Sequence, residues 1–150
     1  MKTFTVLFAC LLLNATAVFA ADEFATAKDA EAMVKKAVAA LKTNREATLG
    51  EITAKDAKWI NRDLYPVVVD MTAKILAHGQ NPKMVGKELI DFKDPDGKAF
   101  YKERIDLANS KGKFWQDYKF TDPITKKVLP KQAYCEKAGD VVVCAGIYKR

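Results

Sequence analysis

Histidine and serine are nearly missing from this 150-residue chain, with one of each, His78 and Ser110. A single imidazole leaves no convincing zinc set. A lone serine with no Gly-x-Ser-x-Gly around it leaves no nucleophile elbow. Metal catalysis and serine hydrolysis therefore have no motif to rest on. Asp94-Pro95-Asp96-Gly97 with Glu103 suggests a calcium loop, but placing Gly97 at loop position six puts Phe92 where the first aspartate ligand belongs, so the match fails. Glycine and proline are sparse, at seven and five residues, and no repeat or low-complexity tract occurs. After residue 20 no apolar run approaches the ~20 residues that cross a bilayer as a helix.

The first residues differ from the rest. Met1-Lys2 precede an apolar run from Phe4 to Leu13, and small residues follow up to Val18-Phe19-Ala20. A positive start, a short apolar core and a small residue at the cut are the marks of a secretory signal peptide. The expected leader is 1–20, cleaved after Ala20, and Cys10 is discarded with it. The expected mature unit is one domain, 21–150, exported to the periplasm or secreted, with no membrane span after processing. Its length is enough for one domain with a real core.

Losing Lys2 from the full chain's 25 Lys and Arg leaves 24 against 19 Asp and Glu. The signs alternate, as in Lys93-Asp94 and Asp117-Tyr118-Lys119, where a nucleic-acid binder gathers its cations on one stripe. The balance reads as a solvated basic surface whose field draws small anions. Nucleic acid is not an expected partner.

Cys135 and Cys144 flank Lys137-Ala138-Gly139-Asp140 inside an alternating apolar stretch. With Gly139-Asp140 as a two-residue turn, Ala138 faces Val141, and counting outward sets Cys135 opposite Cys144. An exported chain favours a disulfide there. A pair of reduced core thiols is the other reading.

Along the chain, Ala27, Ala30, Val34, Ala37, Val38 and Leu41 recur at three- and four-residue steps, predicting an amphipathic helix from Glu23 to about Arg45. Residues 44–59 are polar and fit a second short helix or a loop. Leu64–Asp70 and Lys74–His78 read as strands joined by a tight turn. Lys83–Ile90 carries a short helical pattern. Asp94–Gly97 supplies a turn and a cap before a helix from Lys98 to about Ser110. Phe114–Phe120, Lys131–Lys137 and Val141–Tyr148 read as strands. The order describes an α+β domain built on one antiparallel sheet.

An ordered series of motifs adds to this: Tyr65-Pro66-Val67-Val68-Val69-Asp70, His78-Gly79-Gln80-Asn81-Pro82-Lys83-Met84-Val85-Gly86-Lys87, Asp94-Pro95-Asp96-Gly97-Lys98, Trp115-Gln116-Asp117-Tyr118, Asp122-Pro123-Ile124-Thr125-Lys126-Lys127, Lys131-Gln132-Ala133-Tyr134 and Ala145-Gly146-Ile147-Tyr148. Over roughly residues 60 to 149 the series resembles the single Cache domain family. The resemblance implies a PAS-like fold, with a long N-terminal helix packed on one antiparallel sheet carrying a helical insertion. It also implies an extracytoplasmic sensor role, since such domains serve chemoreceptors and histidine kinases and many bind small organic acids or amino acids. A membrane receptor or kinase as partner, and a homodimer through the long helix, follow as expectations. No enzyme activity and no cofactor are expected, since a small hydrolase needs a nucleophile and base within hydrogen-bond reach and the sequence offers neither by motif. The chain stops two residues after Tyr148, so the expectation is a free-standing module acting without its own output domain. Fold alone does not fix its role, and a structural or interaction module with an inactive, filled pocket is the alternative.

A small carboxylate needs cations or donors within mostly apolar walls. The candidates are Tyr65, His78, Trp115, Tyr118, Lys131 and Tyr134. Each has a plainer role: aromatics on strands pack in cores, Lys131 is a surface charge, and His78 bonds to the Asn81-Pro82 turn. Trp115 and Tyr118 have opposite strand parity and cannot both face one pocket without a bulge, which favours Tyr118. Lys131 and Tyr134 also point to opposite faces, and the sequence leaves that choice open.

Overall fold

Thr26 starts the first helix. Its hydroxyl accepts from the Asp29 N–H and the Asp29 carboxylate accepts from the Thr26 N–H, a reciprocal capping box. The computed structural model describes residues 23–150, so the expected leader and Cys10 lie outside the described residues. Helix α1 (Ala27–Thr43) buries Ala30, Met33, Val34, Ala37 and Leu41 along one face. Asn44 ends it and at once begins α2 (Arg45–Thr53), its side-chain oxygen accepting from the Ala47 N–H. A 3₁₀ turn at Ala57–Trp59 follows, buried through Trp59, whose indole N–H donates to Glu51. The segment left open between helix and loop is thus mostly helical.

Five strands form one antiparallel sheet in the order β2-β1-β5-β4-β3: β1 (Pro66–Asp70), β2 (Ile75–His78), β3 (Lys113–Thr121), β4 (Val128–Ala138) and β5 (Val141–Tyr148). Side chains alternate across it. One face turns Val68, Ala77, Tyr134, Val143 and Ala145 toward α1. The other turns Val69, Ile75, Ala133, Val142 and Cys144 toward α3 (Phe100–Lys111). Because both faces are covered, central strand β5 is an almost unbroken buried run.

Cys135 and Cys144 are directly opposed in the β4–β5 register, three pairs out from the Ala138–Val141 pair that brackets the Gly139-Asp140 turn, and they are disulfide-bonded. Gly139 takes the positive φ of 65° that the turn requires. Arg45 holds Asp140 at 2.7 Å, tying the turn to the start of α2. Reduction of this disulfide is expected to lower unfolding free energy by roughly 2 to 3 kcal/mol without changing the fold, since the closed loop is short. Denaturant unfolding with and without reductant measures it, and an unchanged midpoint would refute it.

Two local expectations are corrected. Lys83–Ile90 is not a helix: a single 3₁₀ turn at Pro82–Met84 gives way to extended chain. Gly86, at φ 84°, breaks the helical run. The outer edge of β2 then takes the backbone: Gly86 N–H donates to Ile75 O, Ile75 N–H to Lys87 O, and Leu89 N–H to Ala73 O. An edge strand left open is a liability, and this segment closes it. Nor does Asp94 cap the next helix. Its carboxylate accepts from the Asp96, Lys98 and Lys119 N–H groups, pinning the turn to β3, while α3 begins at Phe100 with no side-chain cap.

Candidate functional site

The α3 face of the sheet carries the charged groups that a core would ordinarily exclude. Lys131 on β4 lies between Tyr118 of β3 and Tyr148 of β5 in the strand register. It is 3% exposed. Its Nζ donates to Tyr65 Oη at 3.0 Å and Tyr148 Oη at 3.1 Å, and lies 4.4 and 4.5 Å from their ring centres. Tyr148 Oη in turn donates to Thr121 O at 2.7 Å. Burial, and next the charge of Arg104, push the Lys131 amine down to about 7, against weaker upward pulls from Asp63 and Asp122.

Arg104 reaches the same chamber from α3 and is 2% exposed. Its Nε donates to Gln116 Oε1 at 3.1 Å, and its guanidinium lies over Tyr101 and Tyr118 at 4.9 and 5.4 Å. Its Nη2 is buried with no hydrogen-bond partner. Among the described residues neither cation is paired with a carboxylate, and no Asp or Glu lines the chamber. An unpartnered buried donor on a charged group is costly.

His78 ends β2 with its Nδ1 accepting from the Gln80 and Asn81 N–H groups at 3.2 and 3.0 Å. That fixes the neutral tautomer with hydrogen on Nε2. Burial, then Lys131, push its pKa down to about 3. Its ring stacks on Tyr65 at 5.3 Å. Burial raises the pKa of Tyr65 and Tyr118 and takes Tyr101 up to about 12, so these phenols remain protonated donors.

The chamber holds about 10 Å³ of free space, roughly one water's worth. Tyr65, His78 and Phe120 separate it from an outer cleft of about 330 Å³ edged by Lys55, Gln80, Met84 and Lys126. A carboxylate at the cleft, Asp122, is already held by Arg150, Thr125 and the Ile124 N–H. The way in is therefore edged by lysines, and two more basic side chains border the chamber behind it.

Four of the six sequence candidates, Tyr65, His78, Tyr118 and Lys131, border this chamber. Trp115 and Tyr134 lie on the opposite face, packed together at 5.3 Å beneath α1, with the Tyr134 hydroxyl donating to Glu136. Strand parity separates the two sets. Lys131 is not a surface charge, because Gly146 on β5 leaves room for its stem. Sequence reasoning missed Arg104. A signal existed: Phe100, Tyr101, Arg104, Ile105 and Ala108 form the buried stripe of α3, with arginine at a core position. Tyr148 was also missed.

A Cβ at Gly146 would stand 2.6 Å from Lys131 Cε, 3.1 Å from Ala133 Cβ and 3.2 Å from Gln132 O. Gly146→Ala is therefore expected to push the ammonium from its place, costing ~1–3 kcal/mol of stability. If the chamber binds a carboxylate, affinity should fall by more than about tenfold. Thermal melts and titration calorimetry report the two effects, and unchanged values in both would refute the steric argument.

The profile of Single Cache domain 2 matches residues 14–149. The chain belongs to this family. The sheet order and the helix-covered faces fit that assignment, and solved Cache domains superimpose on them. A methyl-accepting chemotaxis protein from Vibrio parahaemolyticus aligns with a TM-score of 0.68 at 26% identity, covering 81% of this chain and 86% of that one. A Cache chemosensory domain solved in a study of carboxylic acid recognition aligns with a TM-score of 0.69 at 24% identity, covering 82% and 92%. In sequence, the methyl-accepting chemotaxis protein McpP of Pseudomonas putida is 27% identical over 95 residues, 62% of this chain and 16% of that protein. This Cache domain thus spans about one sixth of that relative. Cache domains of such receptors are extracytoplasmic sensors. Among the described residues of this one, no helix is long and apolar enough to cross a membrane.

Proposed function

We propose that this chain is an extracytoplasmic, non-enzymatic module that binds a small organic acid between Arg104 and Lys131. The observation that carries the proposal is a pair of buried cations sharing one chamber, one with a free donor, and no carboxylate lining that chamber among the described residues. A bound carboxylate supplies the missing charge and accepts from the orphaned Nη2, with neutral phenols as further donors. The carboxylic acid recognition described for a Cache domain of the same fold agrees with it. An amino acid fits less well, because its ammonium would enter a chamber with two cations and no anion to receive it.

With about 10 Å³ free, the chamber is too small for such a ligand, so binding requires Tyr65, His78 or Phe120 to move and the ligand to enter through the outer cleft. That same near-filled chamber favours a second reading, an interaction module whose pocket is closed for good. The leader, with periplasmic or secreted residence, belongs to the first reading. So do a membrane receptor or kinase as the downstream partner and a dimer along α1.

The deciding experiment is the thermal midpoint of purified protein, unfolded and refolded to strip carried metabolites, against a panel of organic acids and amino acids. A ligand at one hundred times its dissociation constant adds about 2.7 kcal/mol. A shift confined to organic acids supports the first reading, and no shift with any compound supports the second.

A further inference from the structure

Lysines become nucleophilic near neutral pH when they are desolvated and set beside another cation. Lys131 meets both conditions. It is almost wholly buried, its hydrogen-bond partners are two neutral phenols, and Arg104 borders the same chamber. A lysine placed only to hold an anion gains nothing from losing its proton, and an always-charged arginine would hold a carboxylate as well or better. Here one of each faces a single small space.

Resting on the carboxylate reading above, we propose that Lys131 captures 2-oxo acids covalently, as a reversible imine, with the ligand's carboxylate held by Arg104. The free Nη2 of Arg104 supplies the donor for the carboxylate. Arg104 and Lys131 border the same small chamber, so an acid seated on Arg104, once the walls have moved to admit it, has the Lys131 amine among the groups around it. A ketone on the carbon adjoining the carboxylate defines a 2-oxo acid. Burial has already brought the amine down to about 7, so a substantial fraction is free base at neutral pH.

The step balances without a further reagent. The nitrogen lone pair adds to the carbonyl carbon, a C–N bond forms, and the carbonyl oxygen leaves as water. Of the three protons on the original ammonium, two depart with that water and one stays on the iminium nitrogen, so the charge is unchanged. The carboxylate therefore keeps both cationic partners. Tyr65 Oη and Tyr148 Oη, at 3.0 and 3.1 Å from Nζ and 3.2 Å from each other, relay the protons. The enclosing aromatic walls keep out the water that would reverse the reaction. Capture is binding, with no turnover implied.

The test is reductive trapping of the native protein with pyruvate and cyanoborohydride, read by intact mass and peptide mapping. Lactate, which lacks the ketone, is the competitor, and thermal midpoints are measured in parallel with both acids. The expected result is one equivalent of an adduct with the mass of pyruvic acid less one oxygen. It should map to Lys131 ahead of every exposed lysine and be suppressed by lactate and by prior unfolding. Lys131→Met should abolish it, and the mapping on the parent protein stands even if that variant fails to fold. If pyruvate and lactate both raise the midpoint but no adduct forms, or if adducts spread over exposed lysines as they do in unfolded protein, the imine is overturned and the carboxylate reading survives. If neither acid shifts the midpoint and no adduct appears, both are overturned.

Discussion

Arg104→Met is expected to abolish organic acid binding while leaving the unliganded protein within about 2 kcal/mol of the parent's stability. Two opposing effects make the stability change small. The substitution removes a guanidinium that is 2% exposed and has an orphaned Nη2, and replacing a buried, incompletely partnered charge by an apolar chain of similar reach is often neutral or stabilising. It also strips the donor from Gln116 Oε1, which costs ~1–3 kcal/mol. Gln116 itself stays anchored through Nε2 to Phe100 O at 2.7 Å and Glu103 at 2.6 Å, so the α3–β3 contact survives. Binding has no such offset. Losing the charged partner of a buried carboxylate costs about 2–5 kcal/mol, at least about thirtyfold in affinity. Titration calorimetry on the variant, with thermal melts as the folding control, reads both quantities. A folded variant that keeps its parent's affinity would place the carboxylate elsewhere.

Organic acid affinity is expected to hold from about pH 5.5 to 7 and then to fall by about tenfold per pH unit above 7. The group responsible is Lys131, pushed down to about 7 chiefly by burial and then by Arg104. An anion prefers the ammonium, so above that pH binding must first take up a proton. Of the other groups around the ammonium, Tyr65, Tyr118 and Tyr148 are all raised by burial, so these phenols keep their protons near neutrality. His78, at about 3, is already neutral. The same shift has a sign for stability. The folded-state value lies below the ordinary 10.5, so the unfolded chain holds more protons between about 7 and 10.5, and this group makes the unliganded protein more stable as pH rises through that window. Calorimetry in buffers of differing ionisation heat would show proton uptake on binding above pH 7. Affinity that stays flat from pH 7 to 9 would remove Lys131 from the ligand.

Much of the fold could be read along the chain because it rests on local rules. The three- and four-residue steps from Ala30 to Leu41 survive as the buried face of α1, although the helix starts at Ala27 rather than Glu23, with Ala27 exposed and Val38 half-buried, and the turn at Gly139-Asp140 sets the β4–β5 register that brings Cys135 to Cys144. Lys83–Ile90 misled because its helical spacing is local, while its structure is set by the unpaired edge of β2, a partner far from it in preference though near in sequence. Asp94 misled for a related reason: a capping residue was legible, but the backbone it satisfies includes Lys119 on another strand.

For the site, parity along β3 and β4 was readable and separates Trp115 from Tyr118 and Tyr134 from Lys131. Which face holds the chamber was not readable, because alternation gives two sides without saying which helix covers each. By itself the sequence determined most of the elements, the antiparallel hairpin and the chemical types available, since these follow from backbone preference and periodicity over a few residues. Only the tertiary structure decided that Arg104 from a helix and Lys131 from a strand, 27 positions apart, would border one buried chamber lined by no carboxylate among the described residues. Burial and mutual charge depend on every wall of the chamber at once, and no single stretch of sequence contains them.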